Sequence, residues 1–302
     1  MKDFLFFIKN QTIKNKVLLY KSHKVIFYSS FILIPIIFFL LSYISSILVK
    51  NLSVLPDPFP IVRAADYPFL QRTFQPIISA QAAYILDDSS KVVLFAKNDT
   101  VRFSPASTTK MMTALTALDY YKPNDIITIK RSGVEPVVVG FPKGAKVKFS
   151  DMLYAMLLPS GNDCALALAD NYPGGESAFV DQMNRKAKLL HLDNTHFGDP
   201  VGLVDDEDYS TVRDMALLAA YTKAHPVLSQ IVATKEKLIT DSTGTTYDLK
   251  NTNKLLGLYG VTGVKTGYTG EAGEVLATSA TIHGHTFILV VMKSDNRFAD
   301  TE

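Results

Sequence analysis

The hydrophobic patterns of the chain predict an α+β protein whose sheet is mostly antiparallel. Alternating apolar and polar residues predict strands near both ends of the domain, at 79–86, 92–97, 235–240, 261–267, 274–282 and 286–293. Between these ends, residues 125–230 carry mostly the periodicity of amphipathic helices. Strands and helices segregated in this way indicate late antiparallel pairing of the terminal strands, not a series of parallel β-α-β units.

The individual elements follow from local signals along the chain. Helices are predicted at 107–121, at 150–158, in a second run to about 170, at 176–190, and from Ser210 to the residues before Pro226. A short strand is predicted at 126–129, and the last two strands should form a hairpin across residues 283–285.

The amino-terminal part of the chain predicts a membrane anchor. Residues 1–24 contain six lysines and one aspartate, and no charged residue lies between Lys24 and Lys50. A helix of that length can cross a bilayer, and the preceding lysines favour a cytoplasmic amino terminus. A cleaved signal peptide is the alternative, but its apolar part is normally shorter and ends at a small-residue site. We predict a basic cytoplasmic tail at 1–24, one transmembrane anchor at 25–49, a proline-rich linker at 50–77 and an extracytoplasmic domain at 78–302.

Composition limits the functions that the chain can have. The net charge of +2, without a basic and aromatic stripe, argues against a nucleic-acid partner. Cys164 is the only cysteine, so an intrachain disulfide is impossible. Its apolar helical neighbours predict a small core residue and not a nucleophile.

Ser107 and Lys110 form an S-x-x-K motif at the head of a helix-forming run. Residues three apart share a helical face, so the hydroxyl and the amine should lie together. A neighbouring base is one way to activate a serine hydroxyl. The simpler interpretation of the isolated motif is a helix cap.

Two further motifs follow in order. Ser160 and Asn162, in S-x-N, lie at a break between two helices, where side chains can point into a cleft. Lys265, Thr266 and Gly267 lie on a predicted strand, and the glycine would permit close approach of a ligand. Taken singly, these are equally well explained as a polar turn and as an edge-strand lysine that prevents aggregation.

Together the three motifs resemble the set found in penicillin-binding proteins and class A β-lactamases. The chain from about Ala80 to Lys293 is similar to the D-alanyl-D-alanine carboxypeptidases, the low-molecular-mass penicillin-binding proteins. The similar blocks are 105–114, 179–180 with 183–184, 195–197 with 200–203, 209–216, 251–253 and 263–273. The resemblance implies a β-lactamase/transpeptidase-like fold, with helices on an antiparallel sheet and a helical lobe, and no metal or organic cofactor.

The resemblance also implies catalytic roles. Ser107 would attack the carbonyl of the penultimate D-alanine of a peptidoglycan stem peptide and expel the terminal D-alanine. Lys110 would be the base and Ser160 would relay the proton. A lysine near its usual pKa of about 10.4 is protonated at neutral pH, so burial and the nearby cation of Lys265 should lower the pKa of Lys110.

The binding roles are implied in the same way. Asn162 would hold the substrate amide, and Lys265 and Thr266 would bind the terminal carboxylate beside Gly267. The backbone N–H groups of Ser107 and Tyr268 would form the oxyanion hole. β-Lactam antibiotics, which mimic the D-Ala-D-Ala terminus, are expected to bind as inhibitors.

Three alternatives remain at this point. The same site could act as an endopeptidase on peptidoglycan cross-links. A class A β-lactamase needs a glutamate that positions water, and the E-x-x-L-N sequence around that residue does not occur between the second and third motifs. A catalytically inactive penicillin-binding scaffold would have lost some of the motifs, whereas all three are intact.

The anchor can be tested directly. We expect the full chain to stay in the membrane pellet after an alkaline carbonate wash, with its carboxy-terminal domain accessible to protease from outside. Recovery of a soluble mature form that starts near residue 50 would contradict this prediction.

Overall fold

The structure, a computed structural model, describes residues 75–132, 136–204 and 206–302, together with Leu40, Ser42 and Tyr43. The chain divides into two units, Met1–Val62 and Arg63–Glu302, and the fold discussed below belongs to the second. The predicted cytoplasmic tail, nearly all of the predicted anchor and most of the predicted linker lie outside the described residues. Among the residues that are described, none of the helices has the length and apolar character needed to cross a membrane.

The strands and helices that the sequence predicts occur in their predicted order in the described part of the chain, with three further elements among them. The strands are β1 (Ala82–Asp87), β2 (Val93–Lys97), β3 (Ile126–Thr128), β4 (Lys146–Lys148), β5 (Glu236–Thr240), β6 (Thr246–Lys250), β7 (Val261–Thr269), β8 (Gly273–Ile282) and β9 (His285–Ser294). The α-helices are α1 (Lys110–Tyr120), α2 (Phe149–Leu157), α3 (Asn162–Asn171), α4 (Gly175–Leu189), α5 (Val212–Ala224) and α6 (Pro226–Val232), and a 3-10 helix (Ala106–Thr109) leads into α1.

The main sheet has five strands in the order β2-β1-β9-β8-β7, and every neighbouring pair is antiparallel. Strand β1, from the start of the domain, pairs with β9 at its end, so the sheet is closed late, as predicted. His283 and Gly284 turn the chain between β8 and β9, both with positive φ (50° and 84°). A two-residue hairpin turn that matches the twist of its strands requires a positive φ at both of its central residues.

Helix α1 lies at the centre of the hydrophobic core. Its residues from Lys110 to Ala117 are all buried, and it contacts α2, α3, α4 and α5. Helix α5 packs against β1, β8 and β9 on one face of the sheet. A smaller apolar cluster, which includes Leu255, Leu276 and Val291, covers the other face. The first turn of α1 is therefore held between the sheet and the helical lobe, which fixes the position of whatever side chains it carries.

The α+β class and the antiparallel sheet are confirmed, but the sequence did not predict three elements. Strands β4 and β6 are short and largely exposed, so they carry little hydrophobic pattern. Helix α5 ends before Pro226, as predicted, but a further helix begins at that proline. Proline is well suited to the first helical position because it lacks the N–H group, which would have no intrahelical partner there.

Candidate active site

Ser107 and Lys110 meet at the junction of two kinds of helix. Ser107 lies in the 3-10 helix and Lys110 is the first residue of α1, whereas the sequence predicted one α-helix from Ser107 onward. A 3-10 helix has three residues per turn, so side chains three apart are eclipsed. Lys110 Nζ accordingly lies 2.8 Å from Ser107 Oγ, within hydrogen-bond distance. The local geometry brings a nucleophile and a base into direct contact.

The amine of Lys110 is completely buried. Burial lowers its pKa from the usual 10.5 to about 7, against the opposing effects of Asp199, Cys164, Asp163 and Asp208, which raise the pKa. Besides the serine hydroxyl, Nζ reaches the backbone carbonyl of Val201, to which it donates a hydrogen bond of 2.9 Å. A lysine with this pKa is substantially neutral at physiological pH and can accept a proton.

Ser160 and Asn162 lie where the sequence places them, at the break between α2 and α3. Ser160 has a φ of +71°, an uncommon conformation for a residue with a side chain. Ser160 Oγ and both amide atoms of Asn162 are buried, and within the described residues they have no hydrogen-bond partner. Buried polar groups are nearly always paired, so unpaired groups beside a strained backbone indicate a binding function.

Strand β7 brings the third motif to the serine. A Cβ atom placed on Gly267 would lie 3.0 Å from the carbonyl oxygen of Pro105 and 3.2 Å from the backbone nitrogen of Ser107. Only a glycine allows the strand to pass this close to the 3-10 helix without displacing it. The next residue, Tyr268, has an exposed side chain. The backbone of 267–268 therefore runs along the amide of Ser107, where an oxyanion hole would be.

Lys265 and Thr266 are buried on the same strand. Thr266 Oγ1 is hydrogen-bonded to Thr252 Oγ1 (2.7 Å), and Lys265 Nζ donates to the carbonyl of Thr266 (3.0 Å). The pKa of Lys265 lies well below its usual value because of burial, and further because of the cations Lys110 and Arg297. The predicted effect of Lys265 on Lys110 is not among the causes of the low pKa of Lys110, whereas Lys110 does lower the pKa of Lys265. An anionic ligand beside Lys265 would stabilise its charged form.

Two groups near the site were not predicted from the sequence. Arg297 donates to the carbonyl of Gly267 (2.8 Å) from the far end of the chain. Asp199 is buried and accepts hydrogen bonds from the backbone N–H groups of residues 201–204. Neither belongs to a motif, and a carboxylate that binds backbone amides has no periodic sequence signal. Both could be recognised only after folding.

The loop held by Asp199 is pressed against the 3-10 helix. Gly202 has a φ of +84°, and a Cβ there would lie 2.0 Å from the carbonyl oxygen of Ala106. This carbonyl precedes Ser107 directly. The loop therefore supports both the serine, through this contact, and Lys110, through the carbonyl of Val201.

Cys164 is buried in the main core, as predicted. Burial raises the pKa of its thiol well above the ordinary value, so it is not a thiolate at neutral pH. Among the candidate nucleophiles weighed from the sequence, the serine is the one with a base beside it.

In this antiparallel α+β fold, a serine is paired with a buried lysine where the 3-10 helix meets α1. This arrangement is typical of serine enzymes that transfer acyl groups. The profile of the D-alanyl-D-alanine carboxypeptidases, peptidase family S11, matches residues 70–296. The chain belongs to this family.

Individual relatives agree with the family assignment. The chain is 36% identical over 218 residues to D-alanyl-D-alanine carboxypeptidase DacF of Bacillus subtilis, covering 70% of this chain and 56% of the relative. It is 32% identical over 252 residues to a D-alanyl-D-alanine endopeptidase of Escherichia coli, covering 81% of each. The crystal structure of a Streptomyces DD-transpeptidase superposes with a TM-score of 0.71 at 32% identity, over 76% of this chain and 95% of that one. The match thus spans little more than half the length of DacF.

The close contact at Gly202 gives a stability prediction. We expect Gly202→Ala to lower the free energy of unfolding by at least about 3 kcal/mol, because the added methyl group must displace a backbone carbonyl as well as tolerate a positive φ. Thermal and denaturant unfolding of the full chain in detergent would measure this.

Gly244→Ala is the matched control, since Gly244 has a φ of +85° with open space around the position of a Cβ. It should cost only the conformational penalty, about 1 kcal/mol. Equal losses in the two variants would mean that the loop does not press on the 3-10 helix.

Proposed function

We propose that this protein is a serine-type D-Ala-D-Ala carboxypeptidase that removes the terminal D-alanine from peptidoglycan stem pentapeptides. The observation that carries the proposal is the 2.8 Å contact of Ser107 Oγ with a buried Lys110 amine whose pKa is about 7. The family supports the reaction class. The approach of Lys110 and Gly267 to Ser107, and the buried unpaired groups of Ser160 and Asn162, support the site.

In the proposed acylation step, Lys110 Nζ takes the proton of Ser107 Oγ as this oxygen attacks the carbonyl carbon of the penultimate D-alanine. The negative charge that develops on the carbonyl oxygen is stabilised by the backbone N–H groups of Ser107 and Tyr268. Collapse of the tetrahedral intermediate breaks the peptide bond. The proton passes from Lys110, through Ser160 Oγ, to the departing amine of D-alanine.

The ester formed on Ser107 is then hydrolysed. Water loses a proton to Lys110 and attacks the ester carbonyl. The bond from this carbon to Ser107 Oγ then breaks, Lys110 returns the proton to Oγ, and the shortened peptide is released. Lys265 and Thr266 bind the terminal carboxylate of the substrate, and the unpaired amide of Asn162 holds the peptide backbone. A substrate carboxylate would supply an anion that stabilises the charged form of Lys265.

We also propose that the protein acts outside the cytoplasmic membrane, held there by the uncharged segment 25–49 behind its lysine-rich flank. Peptidoglycan stem peptides lie on that side, so the proposed role is in cell-wall biogenesis and remodelling. β-Lactams would acylate Ser107 because their ring mimics the D-Ala-D-Ala terminus.

An endopeptidase is the second candidate, because relatives from Pseudomonas aeruginosa and Escherichia coli are named D-alanyl-D-alanine endopeptidases. It would use the same residues on a cross-linked peptide. The β-lactamase alternative is weaker, because the E-x-x-L-N sequence does not occur between the second and third motifs. Glu176, an acidic residue in that interval, forms an ion pair with Arg131 (2.6 Å).

The low pKa of Lys110 predicts a pH profile. The rate of acylation of Ser107 by penicillin should rise with pH through a midpoint near 7, because the neutral amine is the active form and its pKa is about 7. Lys110→Arg should abolish acylation at every pH, since arginine does not deprotonate. An Arg variant that still acylates would show that another group takes the proton.

The proposed reaction predicts that the same serine is labelled by penicillin and releases D-alanine from a peptide substrate. A fluorescent penicillin should label the wild type, fail to label Ser107→Ala, and be released slowly because the chain lacks the glutamate of class A β-lactamases. The wild type should release free D-alanine from a muropeptide pentapeptide, as measured by mass spectrometry.

Lys265→Ala should reduce the release of D-alanine by about tenfold or more, because the terminal carboxylate loses a charged partner. Lys223→Ala is the control, since this lysine donates to the carbonyl of Thr262 near the start of the same strand. Cleavage of cross-linked dimers faster than pentapeptides would favour the endopeptidase, and fast penicillin hydrolysis without release of D-alanine would favour the β-lactamase.

A further inference from the structure

The carboxylate of Asp199 organises the loop that faces the amine of Lys110. Both of its oxygens are used, one by the N–H groups of Val201 and Gly202 and the other by those of Leu203 and Val204. The side chain is buried, with 7% of the residue exposed. Four backbone N–H groups donate to this one carboxylate. They fix the path of the loop and hold the carboxylate in place as an anionic hydrogen-bond acceptor.

The same loop is hydrogen-bonded to α1, the helix that carries Lys110. The carbonyl of Val201 accepts a hydrogen bond from Lys110 Nζ, and the carbonyl of Pro200 accepts one from Thr113 Oγ1 (2.6 Å), one turn further along α1. Lys110 Nζ is thus held between the loop and Ser107 Oγ. Because the loop carbonyl binds the amine, the lone pair is directed to the serine only if the loop keeps its position.

Charged and titratable groups approach Lys110 from several elements. Asp163 and Cys164 lie on α3, Asp208 and Asp199 lie on the segment before α5, and Lys265 lies on β7. Asp163 accepts hydrogen bonds from the N–H groups of Val139 and Gly140, and Asp208 accepts one from Gly198. Among the groups that raise the pKa of Lys110, Asp199 has the largest effect, while burial lowers this pKa.

We propose that Asp199 is a positioning residue for the base: its carboxylate fixes the carbonyl that orients Lys110, and its charge keeps the buried amine basic enough to take the proton of Ser107. The inference rests on the proposed function, because it concerns the same proton transfer. A fully buried amine with no anion nearby would be neutral but a weak base, and proton transfer is fastest when the pKa of the base lies near the working pH. The charge of Asp199 raises the pKa of Lys110 and so offsets part of the decrease that burial causes.

The test is the pH dependence of acylation in variants of Asp199. The full chain in detergent is reacted with a fluorescent penicillin, and the second-order rate of labelling is measured from acid to alkaline pH. For Asp199→Asn, which removes the charge, we expect the midpoint to move toward acid by about one pH unit, as for the loss of one nearby opposite charge. The maximal rate should fall, because the amine is less basic and two loop amides lose a carboxylate oxygen.

Asp199→Glu keeps the charge and should keep the midpoint near that of the wild type, even if its longer side chain lowers the rate. Asp241→Asn is the structural control. Asp241 is also buried and binds the backbone amides of Thr243 and Thr245, but it is not among the charges that act on Lys110. This control should lose stability without any shift of the midpoint.

Asp199→Ser provides a second neutral variant, and thermal melting identifies which of the two is folded. An unchanged midpoint in a folded neutral variant would overturn the proposal, and failure of both to fold would assign Asp199 a purely structural role, which also contradicts it. Failure of the proposed function is distinguishable, because the wild type itself would then not be labelled at Ser107.

Discussion

Burial of the Lys110 amine is the constraint on which the rest of the site depends. An ordinary lysine would be charged at neutral pH, and exclusion from water is what brings its pKa to about 7. That exclusion needs the sheet, the helical lobe and the loop at 199–204 at once, because Nζ lies where the three meet. Holding the amine in this state opposes folding, because the amine would be protonated at neutral pH in the unfolded chain.

Other parts of the site also oppose stability. Ser160 has a left-handed backbone, and its hydroxyl and the amide of Asn162 are buried without partners among the described residues. Each feature is unfavourable in isolation, by about 1–3 kcal/mol. They are tolerated because α2 and α3 are packed into a large core on both sides of the break. A substrate amide would pair with these groups, so part of that cost would be recovered on binding.

The sequence suggests the residues of the candidate site more readily than the residues that surround it. Ser107, Lys110, Ser160, Asn162 and 265–268 come from short motifs whose order and helix or strand setting can be inferred locally. Asp199 and Arg297 could not be inferred, because their roles arise from contacts with residues that folding brings near. Strand β6 was missed because its pattern is short and polar, and the 3-10 turn at Ser107 because a single tightened turn has no periodicity of its own. The anchor at 25–49 remains a prediction.

The pKa of Lys110 is the result of two opposing effects, burial and the nearby carboxylates. Burial lowers this pKa, and the anions restore part of the difference. The two effects share one segment, since the loop at 199–204 helps to bury the amine and also carries the carboxylate of Asp199. A small change in either therefore changes the fraction of neutral amine. Because the loop at 199–204 also contacts the residue before Ser107, the same segment controls both the basicity of the lysine and the position of the serine.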